Sequence, residues 1–373
     1  MNKRGGGHRW LLLLVFLTLA GPVCGHTERE DGYFTLVDAE GRRIARTAHE
    51  VKKGDQYLTA DNKLYRVEEV KENTAHLRFV RQVNLEAAIA PSFLTRLTSA
   101  VLRLFPGKEK YAQSDNRPVA IYHTHSAESY VPTDGRSSIR GNGGIFKVGE
   151  ALAQALRERG VNVIHDKTPH DPHDALAYDR SRRTAAELLK KNPIALLDIH
   201  RDAVPADEYA GEVNNTAVTK AQLVVGRQNP NMKANEAFAY QIKAVVDKKY
   251  PGFIKGIFYA DGKYNQDLAP RLLLVEMGTH ANSREEAERG AAIFAAATKE
   301  VLTNAGASKR AVGAGALRSL WWVIGLLVVG VVIYFVINGG FGKIRTSLGG
   351  TGGGPEGDTG LDAPADREPP KGE

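Results

Sequence analysis

Cysteine is almost absent from this 373-residue chain: Cys24 is the only one. A single thiol excludes a disulfide framework in any exported part. Nor does Cys24 mark a lipid-modified terminus, because Gly21-Pro22-Val23 is a poor lead-in to a lipobox. Charge of one sign is not in large excess either. Fifty Lys and Arg face 43 Asp and Glu, a formal charge of +7. That balance fits nucleic acid, anionic lipid or acidic wall polymer, so charge alone selects no partner. Long apolar runs are scarce too, but the two that exist are informative.

The first run, residues 10–20, follows Lys3, Arg4 and Arg9 and precedes Gly-Pro-Val-Cys-Gly. Basic, apolar and small residues in that order read as a secretory signal over 1–25, cleaved after Gly25 or retained as an N-terminal anchor. The second, residues 320–337, is unbroken apolar or glycine and opens on Trp321 and Trp322. Its length and aromatic edge predict a transmembrane helix. Together the two place the intervening chain on the extracytoplasmic side of a cell membrane. They leave no role for nucleic acid, which has only the charge in its favour.

Between the runs the pattern changes three times. Residues 31–83 alternate short β-like stretches with turn signals such as Asp38-Ala39-Glu40-Gly41 and Asp61-Asn62, and predict a small β-rich module. Nothing in it points to catalysis, and a spacer or protein-binding role is expected. Residues 84–117 form an amphipathic helical linker ending in Phe105-Pro-Gly. Residues 118–305 then alternate strand and helix. Strands are expected at 119–122, 161–164, 194–199, 222–225, 257–259 and 272–275. Helices are expected at 146–159, 181–191, 235–248 and 283–304. Such alternation predicts an α/β domain, a mostly parallel sheet covered by helices on both faces. Residues 306–319 link it to the membrane helix. The Gly/Pro-rich, acid-bearing tail 338–373 is expected to be disordered.

Three apolar strands end in groups able to do chemistry. Residues 118–122 lead into His123, His125 and Glu128. Residues 194–199 lead through Asp198 into His200, Arg201 and Asp202. Residues 272–275 lead into Glu276 and His280. Polar groups at buried strand ends are costly unless paired or ligated, so three sets at one sheet edge predict a site. His125, Glu128 and His200 offer the N and O donors of a catalytic zinc, with a fourth position for water. Glu276 is the expected general acid–base, and Arg201 the expected oxyanion or carboxylate partner. Strand alternation turns His123 to the opposite face, where it would support the site by a hydrogen bond. His280 reads equally as a substrate contact or a loop residue. His165, His170 and His173 sit among aspartates in a polar loop; three such histidines could bind a metal, but the loop reads as solvated near the site mouth. Gly141 to Gly144 reads as a loop leaving space for substrate, and Arg180, Arg182 and Arg183 as a solvated helix face.

The segments His-Thr-His-Ser-Ala-Glu-Ser-Tyr from His123, Asp-Ile-His-Arg-Asp-Ala-Val from Asp198, and Leu-Val-Glu-Met-Gly-Thr-His-Ala-Asn-Ser from Leu274 resemble the stage II sporulation protein P family. Val-Ile-His-Asp-Lys-Thr from Val163 and Asn-Gln-Asp-Leu from Asn265 fit as well. The resemblance covers roughly residues 118–302. It implies an amidase-like or zinc-carboxypeptidase-like fold and a Zn2+-dependent N-acetylmuramoyl-L-alanine amidase that cuts stem peptide from peptidoglycan glycan. It also implies an endopeptidase activity on cross-links, action in septal remodelling and engulfment during sporulation between mother cell and forespore, and sporulation proteins D and M as partners. In the amidases one metal ligand is a helix glutamate, which makes Glu150 a rival to Glu128. A zinc peptidase acting mainly on cross-links is the alternative, and a non-catalytic wall-binding scaffold the alternative of another class. The predicted second membrane helix and acidic tail depart from the family pattern.

Overall fold

The computed structural model describes residues 29, 32–86, 116–174, 176–311 and 314–337. The expected signal, most of the expected helical linker and the expected tail lie outside these. The chain divides into two compact units, Met1–Arg310 and Ala311–Glu373.

In the first unit the expected strands and helices occur, most of them longer than predicted. The strands of the α/β part are β6 (Val119–Tyr122), β7 (Val163–His165), β8 (Ala195–Asp202), β11 (Ala221–Gly226), β12 (Ile254–Ala260) and β13 (Leu272–Thr279). β9 (Ala210–Val213) and β10 (Thr216–Thr219) form a separate hairpin, which the sequence pattern did not reveal. The helices are α1 (Val131–Asp134), α2 (Ile145–Glu158), α3 (Ala177–Lys190), α4 (Met232–Lys249) and α5 (Arg284–Ala311). α2 shows why these segments fold locally. Its Ile145, Val148, Leu152, Ala155 and Leu156 recur at helical spacing and are buried. Gly160, at φ 76°, then supplies the left-handed residue that ends it. The Val161 N–H closes back on the Leu156 carbonyl at 3.0 Å.

β7, β6, β8 and β13 run parallel in that order. β11 joins β13 antiparallel and runs parallel to β12. Both neighbours of β8 bury every residue, as does β8 itself. Such strands belong in the sheet centre, where each fully buried aliphatic side chain contributes about 1.5–3 kcal/mol.

The N-terminal β segment is hydrogen-bonded into the same sheet. Its strands are β1 (Phe34–Val37), β2 (Arg43–Thr47), β3 (Gln56–Thr59), β4 (Lys63–Lys71) and β5 (Thr74–Gln82). β3 hydrogen-bonds antiparallel to β12, giving one 11-stranded mixed sheet in the order β2-β1-β5-β4-β3-β12-β11-β13-β8-β6-β7.

This continuity changes the expected helical cover. Alternate residues of each strand point to opposite faces. Val119, Ile121, Leu197, Ile199, Val275 and Met277 pack with α2, α4 and α5 on one face. On the other, Ala120, Tyr122 and Leu196 pack against Ala185 and Leu188 of α3, while Val224, Phe258 and Leu274 pack against Tyr57, Tyr65 and Leu77. Helix α3 thus covers part of that second face and the β segment another part. Asp55 fixes the junction by accepting from Arg227 at 2.9 and 2.6 Å.

In the second unit, helix α6 runs Ala314–Ile337. Its described large side chains, among them Trp322, Leu326 and Ile337, are exposed. Among the described residues no helix is long and apolar enough to cross a membrane. The membrane span expected over 320–337 is therefore not found among the described residues.

Candidate metal centre

The site forms where β6, β8 and β13 end, on the face shared by α3 and the β segment. β6 gives way at His123 to a tight turn in which the Glu128 N–H bonds the His125 carbonyl at 3.2 Å. This turn is anchored from the neighbouring strand: Asp198 accepts from the Thr124 N–H at 2.8 Å and the Thr124 hydroxyl at 2.6 Å. It is anchored from behind by the glycine loop. A Cβ on Gly143 would lie 2.3 Å from the Ser126 carbonyl oxygen, and the Ile145 N–H donates to the Glu128 carbonyl at 3.0 Å. At Gly143 this loop brings α2 against the turn carrying Glu128.

His125, Glu128 and His173 form the metal-competent group: one donor atom from each lies within 4.8 Å of the others. His125 and Glu128 are buried. The His125 and His173 rings stand 4.1 Å apart between centroids. Burial and the neighbouring His173 push the His125 imidazole down to about 4, which keeps it neutral and able to ligate. Burial pushes Glu128 up, but His200, His125 and Arg201 outweigh it and hold its carboxyl well below the usual range. The Arg201 N–H adds a bond to Glu128 Oε2 at 2.9 Å.

Several expected residues fall elsewhere. His200, the expected third ligand, is not in this group; its Nδ1 lies 3.3 Å from Glu128 Oε1 and its Nε2 2.9 Å from Asp198 Oδ1. Burial pulls its imidazole down, yet Asp198 and Glu128 hold it well above the ordinary value. Glu128 meets its Nδ1, while Nε2 lies close to Asp198 without a hydrogen-bond partner; Asp198, two residues earlier on β8, faces the same way by strand alternation. Arg201, the expected oxyanion or carboxylate partner, is 4% exposed, and its guanidinium donates to the Ser137 carbonyl at 3.1 Å. Glu150 is no rival to Glu128. It pairs with Lys167 at 2.7 Å and Arg157 at 2.9 Å on the exposed side of α2. His123 lies on the opposite face as expected, with Nδ1 on the Ile199 carbonyl at 2.9 Å and Nε2 2.9 Å from His165 Nε2. His280 contributes its backbone, accepting from the Val131 N–H at 2.8 Å and donating to the Asp202 carbonyl at 3.0 Å.

Glu276 stands beside His200 in register on the adjacent strand, 1% exposed. Burial pushes its carboxyl up to about 7, against the opposing pull of His49 and His200. Its Oε1 lies 2.8 Å from His49 Nε2, while its Oε2 is buried with no hydrogen-bond partner. Asp202 supports this contact by accepting from the Ala48 N–H at 2.9 Å.

Sequence reasoning missed His49 and Tyr178, and set His173 aside as solvated. His173 looked solvated because its loop is polar, but neighbouring His170 pins that loop to the His123 carbonyl at 2.7 Å and to Thr184 at 2.8 Å. Arg180 holds the same loop through the His170 carbonyl at 2.7 Å, and Arg182 pairs with Asp267. Neither is merely a solvated helix face. Tyr178 sets its ring against His125 at 5.4 Å. The three histidines of that loop were the available signal; His49 left none.

The donor set suits a metal. His125 Nε2 is buried with no hydrogen-bond partner, which is costly unless something is bound there. Two imidazoles and a carboxylate match the N and O ligands of zinc.

The sequence profile of the stage II sporulation protein P (SpoIIP) family matches residues 35–299. The chain is 32% identical over 201 residues to the stage II sporulation protein P of Bacillus subtilis (strain 168), covering 49% of this chain and 50% of that protein. It thus spans about half the length of the curated relative it matches. Among solved structures, it is similar to the N-acetylmuramoyl-L-alanine amidase AmiC2 of Nostoc punctiforme at 17% identity and a TM-score of 0.32, over 51% of this chain and 98% of that one. It is also similar to the CwlD amidase of Clostridioides difficile, solved in complex with the GerS lipoprotein, at 14% identity and a TM-score of 0.34, over 50% and 98%. The matched profile takes in the β segment with His49 as well as every candidate ligand, and the chain belongs to the stage II sporulation protein P family.

Proposed function

We propose that this chain is a zinc-dependent peptidoglycan hydrolase, an N-acetylmuramoyl-L-alanine amidase acting in septal wall remodelling and engulfment during sporulation. One observation carries the reading: three buried or half-buried donors converge beside a buried carboxylate that keeps one oxygen unpartnered. His125, Glu128 and His173 would hold the zinc. Bound there, the metal supplies Lewis acidity toward an amide carbonyl and makes water easier to deprotonate.

The chain's own residues do the rest. Glu276 takes a proton on Oε2 and returns it to the leaving nitrogen, a role suited to a carboxyl poised near neutral pH. Arg201 and His200 fix Glu128, and Tyr178 walls the site. Tethering by residues 320–337 is part of the proposal and is supported by the unbroken apolar sequence there. It places the catalytic unit on the extracytoplasmic side, with sporulation proteins D and M as candidate partners.

The test is digestion of purified peptidoglycan by the full chain, with bound metal measured alongside. We expect about one zinc per chain, release of stem peptides with new L-alanine amino termini, and a rate that rises with pH through about 7 as Glu276 ionises. Glu276→Gln keeps the metal and loses at least about 100-fold in rate. Products cleaved within cross-links would make the enzyme a peptidase instead. Wall binding without metal or products would leave only a scaffold.

A further inference from the structure

The N-terminal β segment reaches the reacting end of the sheet through one side chain. We propose that His49 is a positioning residue for Glu276: its Nε2–H fixes Oε1 so that Oε2 alone is presented for proton transfer. The inference rests on the reading of Glu276 as the proton acceptor, and goes beyond it by making the β segment part of the catalytic apparatus.

A carboxylate turns easily about its last torsion, which is broad and roughly two-fold. Held at one oxygen, it has its other oxygen aimed. The 2.8 Å contact between His49 and Glu276 is buried on both sides, so water does not compete for it. The two oxygens are unequal, since Oε2 has no hydrogen-bond partner.

His49 is itself held. Its ring packs 5.8 Å from Phe258 and edge-on 6.1 Å from Tyr264, centroid to centroid. The backbone just before it is tied to the site: the Ala48 N–H donates to Asp202 Oδ1 at 2.9 Å, and Tyr209 donates to Asp202 Oδ2 at 3.0 Å. Asp202 lies two residues beyond His200 on β8, on the same face. The strand that sets His200 beside Glu276 therefore also places the turn carrying His49. A residue needed only for packing has no use for a polar tip aimed at the one unsatisfied carboxylate of the site.

The experiment compares His49→Leu, which keeps bulk but no donor, with His49→Gln, whose amide nitrogen reaches about as far as Nε2. Both are made in the full chain and tested on a soluble glycan-peptide fragment of peptidoglycan, with zinc content and thermal unfolding measured. We expect His49→Leu to lose about 100-fold in kcat, with KM and zinc content within about two-fold of wild type. His49→Gln should regain at least about ten-fold of that loss. If His49→Leu does not fold, His49→Asn, polar but too short to reach Glu276, takes its place. The proposal is overturned if the variant lacking the contact matches wild type in kcat. It is equally overturned if Leu and Gln variants lose activity alike and only as far as they lose zinc or folded protein. An inert wild type would instead bring down the reading of Glu276, and this inference with it.

Discussion

Two histidine–glutamate clusters flank the end of β6, built from the same residue types on opposite faces. On one side stand His125, His173 and Glu128; on the other, His123, His165 and Glu150. In the second cluster the ring nitrogens are already engaged. His123 uses Nδ1 on the Ile199 carbonyl and Nε2 on His165, and His165 uses Nδ1 on Glu150 at 3.1 Å. Glu150 is 41% exposed and neutralised by Lys167 and Arg157. In the first cluster His125 Nε2 is left over, and Glu128 is buried against His125 and His200. Residue type nominates a ligand, and unused donor capacity in a dry place, which His125 and His200 both keep on Nε2, strengthens the nomination.

The contrast can be broken most severely at Glu128. Glu128→Ala should abolish zinc retention on dialysis and lower unfolding stability by about 3–5 kcal/mol, because His200 and the Arg201 N–H lose their buried partner. A variant that keeps its metal would mean the centre lies elsewhere. Next comes the choice of third ligand. His173→Ala should weaken zinc binding at least about 100-fold, while His200→Ala should keep the metal and lose activity. The reverse ranking, read by zinc titration against a chelator, would restore His200 as the ligand. The smallest effect is expected across the strand. Glu150→Gln removes partly exposed ion pairs, worth about 1 kcal/mol or less, and should leave zinc content and digestion unchanged. A loss of metal there would erase the distinction between the two clusters.

Much of this was legible in the chain. The apolar strands 119–122 and 272–275 announced buried central positions, and each ended in a charged or imidazole group that had to be paired. Alternation turned His123 away from its neighbour correctly, but the turn after β6, not the strand period, carries His125 to the other face. It did not show that Glu150, only 25 residues from His125, would have cations around it on the outer side of α2. Nor did the polar character of 166–174 reveal that His170 pins the loop and holds His173 inward. Loop composition reports solubility, whereas burial of one loop residue depends on what packs over it.

His49 is the sharper case. It lies 227 residues from Glu276 and in a segment whose pattern spoke only of short strands. The pairing of β3 with β12 brings the two together, and no local periodicity encodes an edge-to-edge strand match.

The sequence by itself determined the strand-and-helix alternation, the family and the carboxylates and imidazoles at three strand ends, because period, turn chemistry and the cost of burying charge are local matters. Tertiary structure decided which histidines face one another and which already have partners. It also joined the β segment to the sheet that carries the candidate site, since long-range pairing and the sharing of donors among buried groups exist only once the chain has closed on itself.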